Sequence, residues 1–325
     1  MVLAMQFTKT GGPEVLQPVT LNLPPAPQPG QVLVKQNAIG LNYIDTYHRS
    51  GLYAVGLPAI PGMEGAGVVE VIGEGVEWLK VGDRVAYGRG PMGGYAAKRY
   101  IHAKELIALP EKVTDEVAAS VMLKGLTAWY LLHTTFPVTK GDVVLVHAAA
   151  GGVGLLLTQW AKKLGARVIG TAGSPEKAKL AADAGCSDVI LYRTENVAEK
   201  VKALTNSRGV DVVYDAVGKD TFTGSLDSLK PQGMMVSYGQ ASGEIPPFDL
   251  RELSKRGSLF ITRPTLMDLT KNDALYRKAA AELLQMVARG DLKVSVDQCF
   301  KLSDAAKAHA ALESRSTTGS TVLIP

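Results

Sequence analysis

The sequence predicts an α/β protein: a doubly wound parallel sheet joined to a second, mainly antiparallel β domain. Three observations carry this reading. Residues 142–171 run as strand, glycine-rich turn, helix and second strand. From about Leu126 the pattern becomes strands alternating with helices, whereas residues 1–124 hold short β-type runs punctuated by Gly and Pro. The chain has 325 residues, more than one core usually serves, so two domains are expected.

In chain order, the runs Gln31–Asn37, Gly65–Ile72 and Arg84–Tyr87 read as strands. Pro24-Pro25-Ala26-Pro27 and Val81-Gly82-Asp83 are turn signals between them, which suggests an antiparallel, barrel-like domain. Strands then follow at Val143–Val146, Arg167–Thr171, Asp188–Tyr192, Val210–Asp215, Met234–Tyr238 and Leu259–Thr262. The helices between them carry stops at Gly165, Gly185, Gly209 and Gly233. Alternation of this kind makes a doubly wound parallel sheet. After Pro264 a helix near Ala274–Ala288, a short strand, a helix near Asp304–Glu313 and a last strand, Thr321–Ile324, are expected to return to the first domain. The expected domains are 1–124 with 265–325, and 125–264.

The most informative segment is Val143 to Gly154. An apolar strand, Val143–Val146, suits burial on both faces. Gly151, Gly152, Val153 and Gly154 then open a helix whose unpaired N–H groups and positive dipole end suit a pyrophosphate. Gly154 is expected to let helix and strand pack closely. The first glycine of the usual G-x-G-x-x-G is replaced by Ala149. Position after a strand and before a helix gives the motif its weight, against a tight turn that binds nothing.

A free ribose 2′-hydroxyl is usually held by an acid at the end of the second strand. That strand ends in Gly170-Thr171-Ala172-Gly173-Ser174, with no carboxylate, and Lys177 follows one helical turn later. A lysine at a helix N-terminus is a poor match to the dipole unless an anion sits there. NADPH is therefore the expected cofactor. The competing reading of Lys177 is a solvated helix residue.

Composition fits a soluble globular protein, with 46% hydrophobic and 20% charged residues. The net charge is only +4 and the cations are scattered, which argues against a dedicated nucleic-acid tail. The two cysteines, Cys186 and Cys299, make neither a disulfide framework nor a zinc knuckle, and point to a reducing compartment. The N-terminal residues lack a charged n-region and a long apolar core, and no stretch is long enough to span a bilayer. A cytoplasmic location is expected.

The segment from Gly141-Asp142 to Gln159-Trp160-Ala161-Lys162 resembles the signature of quinone oxidoreductases, the zinc-free branch of the medium-chain dehydrogenase/reductase superfamily that includes the ζ-crystallins. The likeness spans the chain: Thr10 to Leu16, Gly62-Met63-Glu64-Gly65-Ala66-Gly67, Val81 to Val85, Leu123-Lys124-Gly125-Leu126-Thr127-Ala128 and Leu312 to Arg315 all fit. The resemblance implies a GroES-like catalytic domain interrupted by a Rossmann domain, with the active site in the cleft between them. It also implies a homodimer, and residues near 258–264 form an apolar edge strand that suits twofold pairing.

Zinc-dependent members carry a Cys near position 42 and a Gly-His-Glu turn, where this chain has Asn42 and Met63-Glu64. Asn and a thioether are poor zinc ligands, residues 88–103 hold no cysteine, and the five histidines form no paired ligand motif. Without a Lewis acid, a hydride acceptor must carry its own electron sink, which favours a quinone over an alcohol or simple carbonyl. A conjugated enal or enone is the alternative. Protein groups must then supply orientation and a donor for a developing oxyanion. By resemblance, Asn42, Tyr47 and Tyr53 line the quinone pocket, with Tyr47 and Tyr53 as half-buried packing residues the competing reading. Also by resemblance, Lys124 and Thr127 lie near the nicotinamide, and Gly173, Lys177, Tyr192 and Arg315 match phosphate-pocket positions. Gly218, Tyr238 and Gly239 end the fourth and fifth strands, where ligands bind in such sheets. AU-rich RNA binding or a crystallin-like structural role is a distant alternative, as no aromatic RNA-binding motif is present.

Overall fold

Apolar alternation in the first third of the chain resolves into paired strands around one long spine. The computed structural model describes residues 1–325. They form two units, residues 1–126 with 270–325 and residues 127–269.

Unit 1 begins with an antiparallel pair, β1 (Val2–Gln6) and β2 (Gln17–Leu21). The spine β3 (Gln31–Leu41) is followed by helix α1 (Tyr43–Ser50), then β4 (Gly65–Ile72), β5 (Arg84–Tyr87), β6 (Lys98–His102) and β7 (Ile107–Ala108). Helix α2 (Asp115–Tyr130) carries the chain onward. In unit 2, β8 (Val143–Val146), α3 (Gly152–Lys163), β9 (Arg167–Ala172), α4 (Pro175–Ala184), β10 (Asp188–Leu191), α5 (Val197–Leu204) and β11 (Val210–Asp215) alternate without exception. They are followed by α6 (Phe222–Asp227), β12 (Leu229–Ser237), α7 (Arg251–Lys255), β13 (Phe260–Thr262) and α8 (Leu266–Thr270). The tail contributes α9 (Asp273–Ala288), β14 (Val296–Lys301), α10 (Ala305–Glu313) and β15 (Ser320–Ile324).

The sheet of unit 2 has the order β10-β9-β8-β11-β12-β13 and every pairing is parallel, so it is a doubly wound Rossmann sheet. Its central strands are buried on both faces, with Val144, Leu145, Val146, Val212, Val213 and Tyr214 fully enclosed. The seven-stranded sheet of unit 1 runs β14-β15-β3-β4-β5-β7, with β6 also on β3, and only the β14–β15 pairing is parallel. Strand β15, the last of the chain, thus lies inside this sheet, its Val322 and Leu323 fully buried. The tail is also pinned by Arg89, which pairs with Glu105 at 2.6 Å and Asp273 at 2.7 Å, and lies 3.8 Å above the Tyr276 ring. No helix is long and apolar enough to cross a membrane.

Three features differ from the sequence reading. Gly209 and Gly233 are not helix stops: α5 already ends at Leu204, α6 ends at Asp227, and Gly233 lies within β12. The break comes earlier because Pro231 cannot continue a helix, and the Gln232 N–H instead reaches the Gly257 carbonyl at 2.8 Å. Strand β3 runs on past Asn37 through Gly40 to Leu41. Gly40 looks like a break but allows close approach: a Cβ there would meet the Ala119 carbonyl at 2.1 Å and Glu64 Oε2 at 2.2 Å.

This predicts a contrast between two glycines. Gly40→Ala should lower unfolding stability by about 3 kcal/mol through overpacking. Gly224→Ala, in helix α6 with nothing within 4 Å of the added Cβ, should be neutral or stabilise by about 0.5–1 kcal/mol. Urea unfolding of the two variants measures both, and an equal effect would contradict the packing described.

Candidate active site

In unit 2 the strand-to-helix turn after β8 is built from backbone. The Gly151 N–H bonds the Ala148 carbonyl at 2.9 Å, the Ala149 N–H bonds the Thr171 carbonyl at 3.0 Å, and Ala148 sits at φ +51°. Gly151 caps α3 with no side-chain hydrogen bond. The N–H groups of Gly152, Val153 and Gly154 therefore occupy a first turn that intrahelical bonding leaves open to an anion. A Cβ at Gly154 would meet the Ala148 carbonyl at 2.3 Å, so this glycine packs the helix against the turn itself.

The end of β9 forms a second cradle. Ser174 caps α4 by accepting the Lys177 N–H at 3.3 Å, which puts Lys177 in the first turn of that helix. Tyr192 is exposed, and its hydroxyl lies over Gly173, where an added Cβ would meet it at 2.6 Å. The sequence-derived trio Gly173, Lys177 and Tyr192 is thus brought to one corner. Glu176, in the same turn, is held below the usual carboxylate range by the Ser174 hydroxyl. Arg315 belongs to unit 1, where its charge opposes the rise that burial imposes on the Tyr43 phenol.

A buried acid organises the ends of β11 and β12. Asp215 accepts from the Val217 and Gly218 N–H groups at 2.7 and 3.1 Å, and from the Thr221 and Ser225 hydroxyls at 2.7 and 2.8 Å. Its carbonyl takes the Tyr238 N–H at 2.8 Å and the Gly239 N–H at 3.3 Å. Gly218, Tyr238 and Gly239 are therefore held at adjacent strand ends by one residue that sequence reasoning did not single out. These groups fit a dinucleotide: open N–H donors for a pyrophosphate, and, next to the Gly173–Tyr192 contact, a helix first turn that carries Lys177 for a further phosphate.

In unit 1 the candidate substrate residues Asn42, Tyr47 and Tyr53 lie at the start of α1, on it and just past its end. Asn42 is the N-cap, with its backbone N–H on Asp45 Oδ2 at 2.9 Å. Its side-chain amide donates to Glu64 Oε2 at 2.7 Å, and because a carboxylate only accepts, this contact fixes which way the amide points. Glu64 has no exposed surface and also takes the Leu123 N–H at 2.8 Å and the Lys124 ammonium at 3.2 Å. Lys124 and Thr127, both buried, sit three residues apart on α2. Tyr47 and Tyr53 meet edge to face with centroids 5.3 Å apart, and the Tyr53 N–H bonds the Tyr47 carbonyl at 3.1 Å. Tyr47 is largely buried and Tyr53 half-exposed.

Glu64 and Asp45 are further site residues. Glu64 lies within the Gly62–Gly67 turn that the sequence displays, so its position was visible although its role was not. Asp45 is fully buried, and desolvation pushes its carboxyl up to about 7, against the pull of the Asn42 N–H and the Tyr95 hydroxyl. No group of three or more His, Cys, Asp or Glu side chains has a metal-holding arrangement.

The zinc-binding dehydrogenase family matches residues 152–274, and the alcohol dehydrogenase GroES-like domain matches residues 28–111. A quinone oxidoreductase of Pseudomonas aeruginosa is 49% identical, with all of both chains covered. A 2-haloacrylate reductase of a Burkholderia species is 46% identical over 100% of this chain and 99% of its own. The crystal structure of Escherichia coli quinone oxidoreductase complexed with NADPH superposes with a TM-score of 0.97 at 45% identity, covering 99% of this chain and 100% of that one. The chain belongs to the medium-chain dehydrogenase/reductase family, alongside its quinone oxidoreductases, and is an oxidoreductase.

Proposed function

We propose that this protein reduces quinones with NADPH and without a metal ion. The observation that carries the reading is the Glu64 cluster. Where zinc-dependent members place metal ligands, the Glu64 carboxylate is already engaged by Asn42, Lys124 and the Leu123 N–H. A carboxylate so occupied serves as an anchor for neighbouring donors. Asn42 has a second amide hydrogen besides the one given to Glu64, and that hydrogen is the donor we assign to the substrate oxygen. Tyr47 and Tyr53 supply flat faces for a quinone ring, with the Tyr53 hydroxyl as a further donor.

In unit 2, Gly151, Gly152, Val153 and Gly154 would hold the pyrophosphate, and Gly173, Lys177 and Tyr192 the 2′-phosphate. Gly218, Tyr238 and Gly239 would border the rest of the dinucleotide, and Arg315, Lys124 and Thr127 would contribute from their own segments. When bound, NADPH supplies a hydride from its nicotinamide ring. The protein's part is to orient the acceptor, exclude water and donate hydrogen bonds to the oxygen that gains charge. The 2-haloacrylate reductase relative supports a second reading, in which an activated alkene takes the place of the quinone.

Edge strand β13 leaves Phe260 exposed, and this uncovered apolar edge supports a homodimer in which two copies pair through residues 258–264. Light scattering should return a dimer mass, and Phe260→Arg should shift it toward the monomer; a monomeric wild type would refute this.

A panel of ortho- and para-quinones, enals, 2-haloacrylate and allylic alcohols, each with NADPH and NADH after exhaustive chelation, tests the function. Quinones with NADPH should react fastest, and chelation should change nothing. Rapid enal or haloacrylate reduction with inert quinones selects the second reading, and activity restored only by zinc refutes metal independence.

Two substitutions separate the assigned roles. Lys177→Ala should raise the KM for NADPH about 10- to 150-fold, the equivalent of roughly 1.5–3 kcal/mol for one charge-assisted contact, and leave NADH kinetics nearly unchanged. Tyr53→Phe should lower kcat/KM for quinones about tenfold, roughly 1.4 kcal/mol, and Tyr53→Ala should lower it further through loss of the ring face. Steady-state kinetics with both cofactors decides each case.

A further inference from the structure

Beneath the substrate-facing end of α1 runs a buried polar chain that the proposed chemistry does not use. Asp45 Oδ2 accepts the Asn42 N–H at 2.9 Å and the Tyr95 hydroxyl at 3.1 Å. The Tyr95 oxygen lies 2.9 Å from His309 Nε2, and His309 Nδ1 lies 3.2 Å from the Arg49 guanidinium. Arg49 in turn forks onto Glu313 at 2.7 and 2.9 Å and reaches the Gly11 carbonyl at 3.0 Å. Asp45, Tyr95 and His309 have no exposed surface, and Arg49 almost none.

The direction of every bond follows from chemistry. Arginine only donates, so His309 Nδ1 must accept. A neutral ring then carries its hydrogen on Nε2 and gives it to Tyr95, whose own hydrogen goes to Asp45. Burial and the adjacent Arg49 charge push His309 down to about 3, which keeps the ring neutral. From Arg49 through His309 and Tyr95 the donors therefore run in series toward the Asp45 carboxylate, while the other Arg49 N–H groups serve Glu313 and Gly11. The chain ends at the Asn42 backbone N–H, which does not relay protons, so what it transmits to the site is orientation.

We propose that Asp45 is a positioning residue for Asn42, and that the ionised carboxylate, held by Tyr95, His309, Arg49 and Glu313, sets the pose of the amide that meets the substrate. This rests on the reading of Asn42 as substrate-facing. The second Asp45 oxygen, Oδ1, is buried without a partner and offers a resting place for a proton. The charged groups that face Asp45 from other elements are Glu64, which favours that proton, and Lys124, which opposes it. Burial pushes its carboxyl up to about 7, and a proton on the carboxyl weakens the hold on the Asn42 N–H.

The test is the pH dependence of kcat/KM for a para-benzoquinone with NADPH from pH 5.5 to 8.5. The wild type should rise with pH about a midpoint near 7. Asp45→Asn should lose this limb and stay flat, while its NADPH dissociation constant, read by nucleotide fluorescence, stays within twofold of wild type. Tyr95→Phe removes one donor to the carboxylate and should move the midpoint up by about one pH unit. It decides the matter if the Asp45 variant fails to fold. A limb unchanged in Asp45→Asn, or a midpoint unmoved in Tyr95→Phe, overturns the proposal. If the wild type reduces no quinone, the quinone reading fails by itself. The same comparison on the substrate it does reduce still judges Asp45.

Discussion

Glu64 has no exposed surface, and a carboxylate in that position needs donors on every side. Much of unit 1 follows from meeting that need. The Asn42 amide brings the start of α1 to it, while the Leu123 N–H and the Lys124 ammonium bring α2. Gly40 leaves room on the spine strand for the same carboxylate. Three segments far apart in sequence are thereby held at one point; Tyr47 rides on the helix that Asn42 caps, and Tyr53, just past its end, is tied back to it through the Tyr47 carbonyl. Replacing one donor would leave a buried charge short of a partner, which costs more than the lost bond itself.

Unit 2 uses the same device with a different outcome. Asp215 is as buried as Glu64, yet its partners are two backbone N–H groups and two hydroxyls, with no cation among them. Fixed dipoles hold it, and they hold the turns at the strand ends in return. Each unit thus sets its functional loops on a submerged acid: one engages a lysine, the other only neutral donors. Asp45 stands between these cases, with one oxygen well served and one without a partner.

The parts readable from sequence were those with local causes. Apolar runs of strand length mark β8, β9 and β11 because parallel strands buried on both faces have no polar side to show. The glycine turn before α3 and the Gly173-Ser174 corner are likewise local, since backbone must bend and approach there. Asp45 could not be read in this way. Its partner Tyr95 lies in another loop and His309 in the last helix, and nothing near residue 45 signals either. Asn42 was recognised by what it replaces, whereas its task as a helix cap tied to two carboxylates emerged only in three dimensions. Gly233 misled because a glycine behind the polar stretch Lys230-Pro231-Gln232 reads the same whether a helix has just ended or a strand is running through it.

The placement of β15 has a consequence for how the molecule is made. Synthesis proceeds from the N-terminus, and domains tend to fold as their residues emerge. Unit 2 is one continuous stretch of chain, and all its strands are available before the tail exists. Unit 1 is different, because its sheet receives an inner strand from the final residues of the chain. Until β15 arrives, the Ile39–Leu41 end of β3 stands as a bare edge with unpaired backbone groups, open to any passing strand. The half of the molecule that is translated first is therefore the half whose sheet closes last, and its newborn form is the one most in need of shelter from its neighbours.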